Sequence, residues 1–198
     1  MQKFLTLLEP DSMSSILLDI GGYPGNWTCF QPCFKRLDIL NLHKITFDSL
    51  AFPAHKMHTI IGNGCGLTFK DNTYDIVFSN SVIEHLENWE NQKMFANEAR
   101  RVGKSIWIQT PAKEFFIEPH YLAPFVHWLP KNIQKKLLRN FTLQGWITRP
   151  SKETVDKLVD TIRLLSKKEI QELFPDCQII EEKFWFFTKS YIACKKAE

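Results

Sequence analysis

Short apolar runs alternate along the chain with longer stretches in which apolar residues recur every three or four positions. The clearest of these stretches is Glu90–Val102, where Phe95, Ala99 and Val102 fall on one helical face. Five apolar runs are predicted as strands at Ile16–Ile20, Leu37–Leu42, His58–Ile61, Tyr74–Ser79 and Lys104–Gln109. Strands that alternate with helices are typical of a parallel, doubly wound α/β sheet.

The alternation changes after Pro111. Residues 112–150 are rich in aromatic, proline and basic residues, and they are predicted to form a helical lid inserted after the fifth strand. Ser166 and Glu169 have the spacing of a capping box, which predicts that a helix begins there. The last two strands are predicted at Gln178–Phe187 and Ser190–Lys195. Because 198 residues can bury one sizeable core but not two, residues 1–198 are expected to form a single domain.

The composition argues against several classes of protein. The formal net charge is only +3, whereas a nucleic-acid-binding face is strongly basic, so we do not expect a nucleic-acid partner. The five cysteines include no CxxC pair and no complete set of zinc ligands, which indicates free thiols and no bound metal. The N-terminal segment is too short for a signal peptide, and no apolar run approaches the roughly 18 residues of a membrane span. We therefore expect a cytoplasmic protein.

The first predicted strand ends in a carboxylate and a glycine-rich turn. Its sequence is I-L-L-D-I-G-G-Y-P-G, from Ile16 to Gly25. Glycines at the end of a strand let the backbone approach a ligand closely, and this is how α/β sheets open a nucleotide pocket. A second informative segment, D-I-V-F-S-N-S-V-I-E-H-L, begins at Asp75.

Together these two segments resemble motifs of the class I S-adenosylmethionine-dependent methyltransferases. The runs S-N-S-V-I-E-H, F-A-N-E-A-R-R-V-G-K, Q-T-P and E-P-H are similar to those of a group of small bacterial-type members. The resemblance extends from about Ile16 to Lys195. It implies a Rossmann-like, seven-stranded sheet, mostly parallel and closed by a C-terminal antiparallel hairpin. It also implies S-adenosylmethionine as the cofactor.

The resemblance assigns cofactor-binding positions residue by residue. In the motif D-x-G-x-G-x-G, Asp19, Gly21 and Gly25 match, and Tyr23 occupies the position of the middle glycine. The ribose position falls on Asn41, with Asp38 expected at the surface if Asn41 is merely a turn residue, and the adenine position falls on Asn63. The complete expected cofactor set is Asp19, Gly21, Gly22, Tyr23, Gly25, Asn41, Asn63, Gly64, Asn80, Ser81 and His85.

The acceptor is expected beside the carboxyl ends of the fourth and fifth strands. The segment Glu118-Pro119-His120-Tyr121 combines a carboxylate, an imidazole and a phenol, and we predict His120 as the general base with Glu118 and Tyr121 as its catalytic neighbours. Alternatively, His120 simply hydrogen-bonds backbone in a proline-rich loop. Glu84-His85 resembles part of the E-x-x-E-H signature of metal-dependent methyltransferases, but Ser81 stands at its first glutamate, so no metal is expected.

Three interpretations of residues 125–141 stay open, because this segment is apolar on one side and basic on the other. It packs on the core beneath solvated lysines, or it contacts an anionic membrane surface or a lipid-linked substrate. Binding of RNA is the third interpretation, and the low net charge disfavours it. The predicted function is methyl transfer, O-directed, to a small-molecule or lipid- or sugar-linked acceptor. The alternative is a catalytically silent, methyltransferase-like binding subunit, motivated by Tyr23, Asn41 and Asn63. A nicotinamide-dependent reductase is disfavoured because the G-x-G-x-x-G fingerprint is absent.

Overall fold

A computed structural model describes residues 2–8, 14–27, 34–46, 57–118 and 123–197. Its strands are β1 Ile16–Ile20, β2 Arg36–Asn41, β3 Met57–Ile61, β4 Tyr74–Asn80, β5 Gly103–Pro111, β6 Ile117–Glu118, β7 Ala123–Pro124, β8 Gln178–Phe184 and β9 Phe187–Lys195. Its helices are α1 Gln2–Leu8, α2 Trp89–Val102, α3 Lys131–Phe141, α4 Leu143–Thr148, α5 Lys152–Thr161 and α6 Lys167–Leu173.

Seven of the strands form one sheet in the order β3-β2-β1-β4-β5-β9-β8. β1 to β5 are parallel to one another, whereas β9 is antiparallel to both β5 and β8. The prediction of a doubly wound α/β sheet with a C-terminal antiparallel hairpin is therefore confirmed. β1 is apolar on both faces: Leu18 packs in the cluster that includes α2 and α6, and Leu17 packs in the cluster that includes α1.

The predicted boundaries were wrong at the C-terminal hairpin. Trp185 and Phe186 form the turn, and Phe187 already belongs to β9, where it pairs with Phe184. A continuous aromatic run has high strand propensity, and this hides a turn that contains no glycine or proline. The capping box at Ser166 and Glu169 is confirmed, with each side chain bonded to the backbone of the other.

The segment between β5 and α6 is largely helical and continues past Pro150 to Thr161. It has a small core of its own, formed by residues such as Leu138, Val155 and Val159. Its two ends meet at a parallel bridge between Ala112 and Leu165, next to the bond from Lys113 N to Leu165 O. Its role as a lid stays a prediction. None of the described helices has the length and apolar character needed to cross a bilayer.

Candidate active site

The main cavity of the described residues opens at the carboxyl ends of β1, β2, β3 and β4. Its volume is about 480 Å³, within the range of cofactor sites. It lies beside the point where the sheet order changes direction, the usual place for a ligand in an open α/β sheet. Its walls are Ile20, Gly21, Leu40, Asn41, Leu42, His43, Ile45, Gly62, Asn63, Gly64, Ser81, Val82, His85, Leu86 and Phe95.

The glycine-rich turn after β1 requires glycine at two positions for different reasons, one of backbone conformation and one of space. Gly21 has φ +76°, in the left-handed region, and its N–H donates to Leu40 O at 2.7 Å. Gly22 is needed for space, because a Cβ there would lie 1.7 Å from Asp19 Oδ2. The unusual backbone conformation of the turn is therefore at Gly21 and not at Gly22. Tyr23 is 60% exposed with φ in the ordinary range, so the turn accommodates it.

Asp19 lies beneath this turn and does not line the cavity. Its side chain is 1% exposed, and Oδ2 accepts the indole N–H of Trp27 at 2.7 Å. Burial raises the pKa of the Asp19 carboxyl to about 7, against the opposing effect of that hydrogen bond. Trp27 carries no sequence signal that would have paired it with Asp19. Gly25 is also outside the cavity wall and lies against the Tyr23 ring.

Asn41 connects the end of β2 to the glycine-rich turn. Its Nδ2 donates to Gly22 O at 2.8 Å, and this bond leaves the amide oxygen as the group that could accept a ribose hydroxyl. The alternative in which Asp38 lies at the surface was wrong. Asp38 is 3% exposed, accepts a hydrogen bond from Tyr74 Oη, and has Oδ1 at 3.1 Å from His58 Nδ1.

Asn63 and Gly64 form the turn after β3. Asn63 Oδ1 accepts the N–H of Cys65 at 2.9 Å, and a carbonyl oxygen has a second lone pair for an adenine amino group. Gly64 lies close to the opposite wall, because a Cβ there would be 2.9 Å from Ile20 Cγ2 and 3.1 Å from Phe95. Both residues line the main cavity, and their role at the adenine end stays a prediction.

The turn after β4 brings Ser81 and His85 to the cavity but leaves Asn80 outside its wall. Ser81 has φ +56°, a left-handed conformation that is uncommon for a residue other than glycine and often marks a functional site. Its N–H and Oγ both bond to Gln109, at 3.0 Å and 3.1 Å. Glu84 is fully buried and accepts Thr110 Oγ1 at 3.0 Å. The described residues contain no cluster of three His, Cys, Asp or Glu side chains that could hold a metal ion.

Comparison with known proteins relates part of the chain to a known family. Residues 25–105 match the family model described as a methyltransferase domain. This part of the chain, less than half of its length, is thus similar to a methyltransferase domain. The residues of the main cavity fit S-adenosylmethionine in the size of the cavity, in its apolar walls and in the amide groups at two ends. No curated protein sequence matches the chain.

Solved structures share the fold of this chain. A protein from Pyrococcus horikoshii OT3 is 14% identical with a TM-score of 0.51, over 100% of this chain and 91% of that one. PigF, solved with S-adenosylhomocysteine, is 12% identical with a TM-score of 0.54, over 94% and 58%. A Rhodobacter sphaeroides protein, named as a candidate zinc-dependent alcohol dehydrogenase, is 10% identical with a TM-score of 0.62, over 100% and 88%. At such identities the likeness concerns the fold alone.

A second cavity of the protein, about 260 Å³, lies next to the first and shares Ser81 with it. Sequence reasoning missed most of its residues, because β8 and β9 are distant in sequence and reach the site only through the sheet order. Glu182 Oε2 accepts Ser190 Oγ at 2.6 Å within this cavity. The full wall is Ser81, Gln109, Pro111, Phe115, Glu182, Lys189 and Ser190.

The predicted catalytic residues cannot be placed in this geometry. His120 and Tyr121 lie outside the described residues, and of Glu118 only the backbone, in β6, is described. Their roles stay predictions. β6 follows Phe115 closely along the chain, and Phe115 lines the second cavity.

Proposed function

We propose that this protein is an S-adenosylmethionine-dependent methyltransferase, which transfers the methyl group to an oxygen of a small-molecule or lipid- or sugar-linked acceptor bound in the second cavity. The observation that carries the proposal is that the two cavities meet at Ser81. Methyl transfer requires the acceptor atom to face the cofactor's methyl group at close range, which adjoining cavities allow.

The chain's own residues have distinct tasks in this proposal. Gly21, Asn41 and Asn63 hold the cofactor, which when bound supplies an electrophilic methyl group. Glu182 accepts a hydrogen bond from the acceptor's hydroxyl group and so orients its oxygen, while Phe115 provides an apolar wall.

Proton removal is assigned to His120, with Glu118 and Tyr121 beside it. The support is chemical: an unperturbed imidazole titrates near neutral pH, and the segment follows β5, at whose carboxyl end the acceptor binds. A hydroxyl acceptor needs such a base, since it is not ionised at neutral pH.

Contact of residues 125–141 with a membrane also remains a proposal. Phe125 and Trp128 are about half exposed, which supports it. The basic side of α3 is partly engaged within the protein, because Lys135 Nζ lies 2.7 Å from Asp160 Oδ2. That ion pair makes the aromatic residues at the start of the segment the better candidates for contact.

The cofactor part is tested by calorimetric titration with S-adenosylhomocysteine. Asn41→Ala is expected to weaken binding about tenfold, because it removes both the ribose partner and the bond to Gly22. The control is Asn97→Ala, an exposed residue of α2 outside the cavity wall. Equal affinities of the two variants would exclude Asn41 from the cofactor site.

The acceptor part is tested with hydroxyl compounds found in an activity screen. Glu182→Gln keeps an oxygen for Ser190 but removes the charge, and we expect a higher acceptor KM with unchanged affinity for S-adenosylhomocysteine. Glu172→Gln, an exposed position on α6, is the matched control. An unchanged acceptor KM in Glu182→Gln would place the acceptor elsewhere.

A further inference from the structure

The tip of the β8–β9 hairpin presents four consecutive aromatic residues, Phe184–Phe187, to solvent. Trp185 is 83% exposed and Phe186 is 90% exposed. Large aromatic side chains usually account for buried area in a fold, so adjacent exposed rings indicate a contact surface. We infer that this tip docks the protein onto an anionic phospholipid bilayer.

The backbone conformation of this turn does not favour aromatic residues. Trp185 has φ +56°, at the first central position of a two-residue hairpin turn, where glycine is favoured. A residue with a β-carbon is strained at a positive φ, so the stability of the fold would favour glycine at position 185. The side chain is therefore better explained by what it contacts outside the chain than by the turn that it occupies.

The tip continues into a larger aromatic surface on the segment after β5. The ring of Phe187 lies 5.1 Å from that of Phe116, which lies 6.1 Å from Phe125. The ring of Phe125 lies 5.2 Å from that of Trp128. We call Phe116, Phe125, Trp128 and Phe184–Phe187 the aromatic ridge.

Lysines flank the tip on both sides in the run K-F-W-F-F-T-K from Lys183 to Lys189. Lys189 is exposed, and Lys183 is exposed but lies 3.5 Å from Glu181. Aromatic rings that insert at the level of lipid headgroups, with basic residues beside them, are the pattern of interfacial membrane contact. Anionic lipids attract such lysines, which favours a charged bilayer over a neutral one.

A second copy of the chain is a poorer occupant of the tip. Each aromatic side chain can bury about 150–250 Å², so Trp185 and Phe186 together contribute at most about 500 Å². A stable protein interface needs about 800 Å² from each partner. A narrow protruding turn suits insertion into a soft interface, where depth matters more than matching area.

The position of the ridge gives docking a consequence for the proposed acceptor site. The ring of Phe184 lies 6.3 Å from that of Phe115, which lines the second cavity. Lys189, at the base of the tip, lines the same cavity. This consequence rests on the proposed function: docking would hold the second cavity close to lipid headgroups, where a lipid-linked acceptor is found.

Vesicle co-sedimentation of the full chain tests the docking separately from any activity. The wild type should sediment with vesicles of phosphatidylcholine mixed with phosphatidylglycerol, and much less with phosphatidylcholine alone. The double variant Trp185→Ser, Phe186→Ser should bind about tenfold less, because both interfacial rings are lost. The control is Ile61→Ser, which is 65% exposed on β3 at the opposite edge of the sheet.

Circular dichroism should show the same fold in all three proteins, since every substituted side chain is exposed. Quenching of tryptophan fluorescence by brominated lipid should be present in the wild type and reduced in Trp185→Phe. Undiminished vesicle binding of the double variant, or no binding of the wild type, overturns the inference. Equal binding to both vesicle types overturns the role of charge. A wild-type dimer that the double variant dissociates in analytical ultracentrifugation would show that the tip binds a second copy instead.

Discussion

Replacing Asp19 with asparagine should change how the stability of the protein depends on pH. The Asp19 carboxyl is buried, and its pKa is raised from the ordinary 3.8 to about 7. Between about pH 4 and pH 7 the folded protein therefore keeps the proton of Asp19, whereas the unfolded chain has released it. The free energy of unfolding falls by about 1.4 kcal/mol for each pH unit between the two pKa values, or about 4 kcal/mol in all. Above about pH 7 the wild type bears this whole cost, and below about pH 4 it bears none.

The asparagine side chain of the Asp19→Asn variant cannot ionise, and its amide oxygen can still accept the indole N–H of Trp27. Relative to the wild type, the variant should become steadily more stable from about pH 4 to about pH 8, with a gain approaching 4 kcal/mol. Urea unfolding followed by tryptophan fluorescence, at each pH and without cofactor, measures this difference. Parallel pH profiles of the two proteins would refute the reasoning, because a carboxyl with an ordinary pKa produces no such slope.

Asp75→Asn is a control of opposite sign. Burial by itself would raise the pKa of Asp75, but the hydrogen bonds from Lys104 Nζ and Ile16 N lower it overall. The folded-state pKa is thus below the unfolded one, so the ionised group stabilises the fold above the unfolded pKa and this is lost in acid. Asp75→Asn should be less stable than the wild type at neutral pH, and the two should converge as the pH falls.

Three further substitutions test other parts of the molecule. Ser166→Ala removes the N-cap of α6 and should lower the free energy of unfolding by about 1 kcal/mol in urea titrations, and an unchanged midpoint would contradict a role for the cap. Gly64→Ala places a methyl group against Ile20 and Phe95, so it should lower the free energy of unfolding by about 1–3 kcal/mol and weaken the binding of S-adenosylhomocysteine. Full affinity in calorimetry would show that Gly64 does not form part of the cofactor site. His120→Ala should lower turnover on a hydroxyl acceptor by about 10²–10⁴ with unchanged cofactor affinity, and full turnover from about pH 6 to pH 9 would exclude it as the base.

The sheet was largely predictable from sequence because buried parallel strands are short apolar runs, and Ile16–Ile20 was predicted to the residue. Because the strands could be located, the residues that follow their carboxyl ends could be located too, and Asn41, Asn63 and Ser81 line one cavity. Contacts between segments that are distant in sequence could not be predicted. Nothing in the local sequence pairs Trp27 with Asp19, a contact that depends on tertiary packing.

The run after β3 shows that a sequence motif does not by itself give the role of its residues. Leu67, Phe69 and Asp71 are similar to the L-P-F-x-D run of class I methyltransferases, with Thr68 in place of the proline, and in the structure they support the chain after β3. Arg101 Nη2 donates to Leu67 O, and Arg101 Nη1 donates to Phe69 O and to Asp71 Oδ1. A motif can thus identify a fold through residues that hold the chain in place, without those residues touching a ligand.

The bridge between Ala112 and Leu165 makes the helical segment between them a detachable module. Because its two ends are neighbours and its apolar side chains pack in a core of their own, its length can change without altering the register of β5 or the position of α6. Shortening or exchange within residues 125–161 should leave the sheet and the main cavity intact, whereas Arg163 must be kept, because its N–H donates to Glu84 O and its guanidinium donates to Gln92 Oε1. The proposed acceptor side of the protein can therefore change in length while the sheet that carries the proposed cofactor site keeps its geometry.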